Sequence, residues 1–197
     1  ELLEVIATEP KVAKYLDIPI QHADADILKA MNRTGNAEWL LGLMEKIRQK
    51  VPGITLRTTL IAGFPGETEE QFETLMNFVK KAKFERLGCF AYSQEENTPA
   101  GRMDGQLPEE VKERRAELVM LEQMRIHDAY NEQKVGMTVK VITEGYDRYG
   151  EVYFGRTEAD APDIDGKVFF SSEKKRTMGD FVEVEIDETM DYDLIGH

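Results

Sequence analysis

The chain has 197 residues and a formal net charge of −13. That balance argues against non-specific nucleic-acid binding, which needs clustered Lys and Arg to neutralise phosphates, and it suits either a basic partner or simple solubility. The single cysteine, Cys89, excludes an internal disulfide and cannot form a metal cluster by itself, and no apolar run approaches the ~20 residues that span a bilayer. A reducing, cytoplasmic setting is expected, with no membrane partner. Residues 1–7 read as the interior of an amphipathic helix, so the chain is expected to be part of a longer one.

Residues 15–20 read as the first strand, and Asp24 is placed to cap a short helix that runs to Met31. From 37 to 51, Leu40, Leu43, Met44, Ile47 and Val51 share one stripe, so this helix should cover a sheet. Residues 54–62 form a β-rich run that halts at Gly63, Pro65 and Gly66 and restarts as a helix at the Thr68/Gln71 capping box. Strand alternation sends Arg57, Thr59 and Ile61 to one face and Leu56, Thr58, Leu60 and Ala62 to the other. Gly63 and Gly66 tolerate positive φ and could let a ligand lie against the main chain. Glu67, beside a helix N-terminus, is expected to act as a cap.

In the helix of residues 68–83, Phe72, Leu75, Met76 and Val79 form the apolar stripe. Residues 86–93 give a third strand with Cys89 buried inside it, followed by a polar loop at 94–100. A charged helix begins at Pro108 and runs to about residue 134 as a connector. Four or five strands then follow, at 138–143, 150–156, 166–170, 181–186 and 192–195. The expectation is an α/β domain over residues 1–134 and a small antiparallel OB-like barrel over 135–197. The first strand, at 15–20, is expected to present an open edge that invites self-association.

Three stretches carry a resemblance: residues 16–22 with 26–33, residues 57–68, and residues 90–93 with 98–100. Together they resemble the later strands of the radical S-adenosylmethionine methylthiotransferases, and the tail from about Val135 resembles the TRAM barrel that closes those proteins. The run from Tyr153 to Gly166 is most similar to the RimO branch, which modifies an aspartate of a small-subunit ribosomal protein (S-twelve). The resemblance implies the second half of a radical SAM (β/α) barrel followed by a TRAM domain. It also implies S-adenosyl-L-methionine and four-iron four-sulfur clusters as cofactors, used to insert a methylthio group into a C–H bond. The cysteine loop that holds such a cluster is absent from the chain, which by itself is expected to be inactive.

Carried over by position, the resemblance places Ile61 and Gly63 near the adenine and Gln21 and His22 near the ribose or methionine part. Tyr92 and Ser93 would supply main-chain contacts. Two of these keep alternatives: His22 could be a turn histidine satisfied by backbone, and Tyr92 a core aromatic. Arg57 and Thr59 face the same side, where Arg57 could hold a carboxylate or form a structural ion pair. The sister branch thiolates transfer RNA, but residues 131–197 carry eight Lys or Arg against sixteen Asp or Glu. An acidic barrel suits a basic ribosomal protein better than RNA. A non-catalytic RNA-binding adapter stays open through Tyr146, Tyr149, Tyr153 and Phe154. Lys174, Lys175 and Arg176, the one basic cluster, read as a solvated turn.

Overall fold

The structure is a computed structural model that describes residues 1–197. A short helix, α1 (Leu2–Thr8), precedes a parallel sheet of β1 (Tyr15–Asp17), β2 (Thr55–Ala62) and β3 (Arg86–Ala91), in that spatial order. Helices α2 (Ala25–Ala30) and α3 (Ala37–Lys50) follow β1, α4 (Glu69–Ala82) follows β2, and α5 (Glu109–Glu132) follows β3. The caps read from the sequence are present: Asp24 accepts from the amides of Asp26 and Ile27, and Thr68 and Gln71 form a reciprocal capping box.

Alternation along β2 decides which side is core. Leu56 and Leu60 are fully buried and join Met44, Ile47, Leu75, Phe78 and Val119 beneath the helices. Arg57, Thr59 and Ile61 take the opposite face, aligned in register with Arg86, Gly88 and Phe90 of β3. The C-terminal half of that face stays open, with Phe90 62% exposed, while Arg86 at its base is buried.

The first strand is shorter than the sequence predicts, because Pro19 has no N–H to give to the ladder. Thr58 fills the break: its hydroxyl donates to the Ile18 carbonyl at 2.8 Å and accepts from the Ile20 amide at 3.3 Å. Pairing resumes only at Gln21, as a single bridge to Leu60. Arg33 further blunts this edge by donating to the Pro19 carbonyl at 2.8 Å.

After α5, strands β4 (Thr138–Asp147), β5 (Val152–Arg156), β6 (Val168–Phe170), β7 (Phe181–Met190) and β8 (Asp193–Gly196) close a barrel in the order β4-β5-β6-β8-β7. The chain is thus a mixed α/β domain followed by a small β-barrel. The barrel departs from the antiparallel expectation at one seam, where β6 and β8 run parallel. Its interior holds Val141, Val168, Phe170, Val184, Ile186 and Leu194. Gly155 is obligatory where β4 and β5 cross, because a Cβ there would collide with the Ile142 carbonyl oxygen. No helix is long and apolar enough to cross a membrane.

The barrel sits against the base of the sheet, where the parallel strands begin. Arg86 donates to Asp160, the Tyr15 hydroxyl donates to Asp165 at 2.6 Å, and Arg57 lies 3.8 Å from Asp165. The His127 and Tyr192 rings pack with centroids 4.8 Å apart.

A three-residue edge interrupted by proline and covered by Arg33 is a poor template for another strand. The self-association expected through residues 15–20 is therefore not favoured. The chain should behave as a monomer in sedimentation velocity up to at least about 100 μM, a range in which unprotected edges usually associate. A concentration-dependent dimer would contradict this account of the edge.

Candidate functional site

All three strands end on one side of the sheet, and residues 18–22, 61–66 and 92–106 gather there. Gln21 takes a left-handed backbone, φ 74°, and still bridges β2: its amide donates to the Thr59 carbonyl and its carbonyl accepts from the Ile61 amide. A non-glycine residue in this region costs roughly 1–3 kcal/mol and needs surroundings that hold it. What holds it is the next residue.

His22 is fully buried. Its Nδ1 accepts from the Asp24 amide at 3.0 Å, so the ring proton lies on Nε2, which donates to Glu67 at 3.0 Å. The Glu67 carboxylate also accepts from the Gly63 amide, 3.0 and 3.1 Å to its two oxygens, and from Arg115 at 2.7 Å. Arg115 donates again to the Glu67 carbonyl and to Glu69. One carboxylate therefore ties the end of β1, the end of β2, the start of α4 and the first turns of α5. Inside the protein such charge-assisted bonds are strong, provided every member is satisfied.

These contacts correct three expectations. His22 is not a cofactor ligand in this arrangement, because both ring nitrogens are engaged and the ring faces the helix layer. Glu67 is not a simple cap but the hub of the network. Gly63 is required for α5 rather than for ligand approach: with φ 77°, a Cβ there would lie on the Lys112 side chain and 2.9 Å from its Cα. The Gly63 amide is likewise taken by Glu67.

Arg57 is corrected too. It lies near the base of β2, four residues or about 13 Å from Ile61 along the strand. There it pairs with Asp17 at 2.7 Å and approaches Asp165, so its carboxylate partners belong to the chain itself. The ion-pair alternative is what the structure holds.

The remaining candidates do meet. Ile61 packs with Ile27, Phe64 and Tyr92, and the Phe64 and Tyr92 rings meet edge to face at 5.4 Å. The Tyr92 amide donates to the Ala62 carbonyl at 2.9 Å, while its buried hydroxyl has no partner. Ser93 is exposed, with its hydroxyl donating to Glu95 at 2.8 Å. Thr59 is half-buried on the open face beside Gly88. Gln21, Thr59, Ile61, Tyr92 and Ser93 thus outline a shelf at the C-terminal rim, open on the side of Phe90.

Sequence reasoning missed the hub and its partner. Glu67 stands four residues after Gly63, a spacing that could have suggested a bond back to that amide. Arg115 sits among other charges on α5 and gave no signal. The chain offers nothing for an iron–sulfur cluster: no three His, Cys, Asp or Glu side chains converge. The lone thiol, Cys89, is pushed up to about 12 by burial and then by the Glu67 charge, far from the thiolate a metal needs.

Removing the hub should be severe. Glu67→Ala leaves Arg115 buried without its carboxylate and should lower stability in urea by about 3–5 kcal/mol, whereas Glu67→Ala with Arg115→Met should recover a good part of the loss. Losses that simply add in the double variant would show that the two residues are not coupled.

The family profile described as "Radical SAM superfamily" matches residues 1–79, and that described as "TRAM domain" matches residues 135–197. The ribosomal protein uS12 methylthiotransferase RimO of Clostridium botulinum is 48% identical over 196 residues, all of this chain and 44% of its own length. The proteins of the same name from Lachnoclostridium phytofermentans and Pelotomaculum thermopropionicum are also 48% identical, and the chain covers 44% of each. The chain therefore spans less than half the length of these relatives. Among solved structures, the radical SAM enzyme coproporphyrinogen III oxidase (HemN) of Escherichia coli superposes with a TM-score of 0.45 and 21% identity, over 67% of this chain and 29% of that one. At that distance the likeness carries no weight for function. On its sequence relatives and on the two profiles that bracket it, the chain belongs to the radical S-adenosylmethionine methylthiotransferases, in the RimO branch.

Proposed function

We propose that this chain forms the later half of the S-adenosylmethionine-binding barrel, together with the substrate-docking barrel, of an enzyme that methylthiolates an aspartate of ribosomal protein uS12. The observation that carries the reading is the convergence of Gln21, Ile61 and Tyr92 at one rim, around a buried tyrosine hydroxyl that has no partner. An orphaned hydroxyl costs roughly 1–3 kcal/mol, and a polar ligand on the shelf would relieve it. S-adenosylmethionine, when bound, would supply the methyl group and the hydrogen-abstracting fragment of the reaction. The iron–sulfur cluster that the family implies does not fit this chain's own residues, so no step is assigned to it and the chain alone is proposed to be inactive.

What the residues themselves do is bind and orient. Ile61 offers an apolar face to a purine, and Thr59 adds a hydroxyl on the same side. Tyr92 offers its hydroxyl rather than its amide, which Ala62 already takes. The hub acts at one remove, holding the backbone from Ile61 to Glu67 so that the shelf keeps its shape.

The partner is proposed to be the basic ribosomal protein rather than RNA. On the outer face of β7, Glu183, Glu185, Asp187 and Glu188 are exposed in succession, so the barrel presents a run of negative charge. Such a surface steers cations toward it and weakens as salt rises.

Saturation-transfer NMR with S-adenosylhomocysteine tests the shelf. Transfer to the adenine protons is expected in the natural chain and should fall at least about fivefold in Ile61→Asp, since losing one apolar contact is worth roughly 1–3 kcal/mol. Equal transfer in both proteins, or none in either, overturns the assignment. For the partner, uS12 should bind the chain more tightly than single-stranded RNA at low salt, with affinity falling between 50 and 200 mM salt by about tenfold or more. Tighter binding of RNA would move the reading to the transfer-RNA branch or to an adapter.

A further inference from the structure

The joint between sheet and barrel turns on a histidine that the proposed function does not use. His127 lies on α5 and is buried where β3 meets the turn between β7 and β8. Its Nδ1 stands 3.2 Å from Arg86 Nη1; arginine can only donate, so Nδ1 accepts and the ring proton sits on Nε2. Nε2 is 2.8 Å from the Asn131 side-chain amide, whose oxygen is otherwise without a partner. Turning that amide by 180° brings its oxygen onto Nε2–H and satisfies both groups.

The same Arg86 holds the barrel. Its Nη2 donates to Asp160, which also accepts from the Thr157 amide at 3.1 Å and the Thr157 hydroxyl at 2.6 Å. The Asp160 carboxylate therefore both shapes the barrel loop and supplies one of its grips on the sheet. Asp165, which accepts from Tyr15 and from the Ala161 amide, closes the other side of the contact.

We propose that this joint is an acid-labile latch, in which neutral His127 steadies Arg86 against Asp160 and protonation of the ring releases the barrel from the base of the sheet. A protonated ring has no lone pair for Arg86 and places a second cation 3.2 Å from it. The charged and titratable groups around the ring are Arg57 on β2, Arg86 on β3 with Glu85 just before it, Tyr130 on α5 with Lys134 just past its end, Asp160 and Asp165 in the barrel loop, Tyr192 in the β7–β8 turn and Asp193 at the start of β8. The Glu85 and Tyr192 carbonyls, each 3.4 Å from a ring nitrogen, favour the charged ring. Burial and then the Arg86 charge oppose it and hold the His127 pKa below its usual 6.5, with Lys134 adding a smaller push in the same direction. Burial, reinforced by Arg86, brings Lys134 itself down to about 8.

The sign follows from linkage. The open form takes up the ring proton more readily than the closed one, so the latch is fully stable above pH ~6.5 and loosens as pH falls through the range down to the depressed value in the closed form. The other two histidines serve as internal references: His22 lies in the hub at the opposite end of the strands, and His197 is exposed beside Asp187.

Hydrogen exchange of residues 157–165, corrected for intrinsic rate, tests this on the whole chain between pH 7.5 and 5.5. Exchange should rise by up to about tenfold per pH unit below 6.5, the factor carried by one proton taken up only on opening. Residues 55–62 of β2 should not follow. His127→Gln should stay latched at pH 7.5 and lose the pH step. Should that variant fail to fold, the natural chain still decides, because the His127 ring signals in NMR must titrate at the midpoint where the loop amides open. Loop protection that is flat to pH 5.5, a step that survives in His127→Gln, or a ring that titrates without loop opening would overturn the latch.

Discussion

The Glu67 carboxylate is the constraint on which the rim depends. It is fully buried and accepts from a histidine, a main-chain amide and an arginine that come from three separate segments. A buried carboxylate is tolerable only when it is surrounded by donors, and each donor here is itself fixed by another bond. His22 is oriented by the Asp24 amide, Arg115 by the Glu67 carbonyl and Glu69, and Gly63 by the α5 backbone pressed against it. The left-handed turn at Gln21 follows from this arrangement, since one residue must bridge β2 while the next dives into the helix layer.

The two ends of the sheet have different tasks. At the C-terminal rim, polar groups converge while the face of Thr59, Ile61 and Phe90 is left open, the condition for a binding shelf on a parallel sheet. At the base, Tyr15, Arg57 and Arg86 are taken up by Asp17, Asp160 and Asp165, so Arg57, the charge that looked like a ligand group, is structural. The barrel is thereby fixed at the end away from the shelf. The barrel contact and the rim are thus separated by roughly 17 Å along the strands, from Arg57 to Ala62.

Most of the fold was legible in the sequence because its signals are local. Thr68 with Gln71 marks a helix start, Asp24 marks another, and the alternation from Leu56 to Ala62 separates core from open face without any long-range information. Pro19 was read as part of a strand, and there the sequence misled. Whether a missing N–H ends a strand depends on a neighbour such as Thr58 that can replace it, and that neighbour lies about forty residues away.

The sequence by itself determined the order of elements, the two-part architecture, the identity of the rim segments and the acidic character of the barrel. Each of these depends on the residue types within a turn or two of one another. Only the tertiary structure decided what the ionisable side chains do: His22 and Arg57 left the candidate site, Glu67 became its support, and Asp160, Asp165 and His127 joined the two domains. The physical reason is that a charge takes its role from its partners, and here those partners come from 40 to 150 residues away in the chain, a separation that no local pattern encodes.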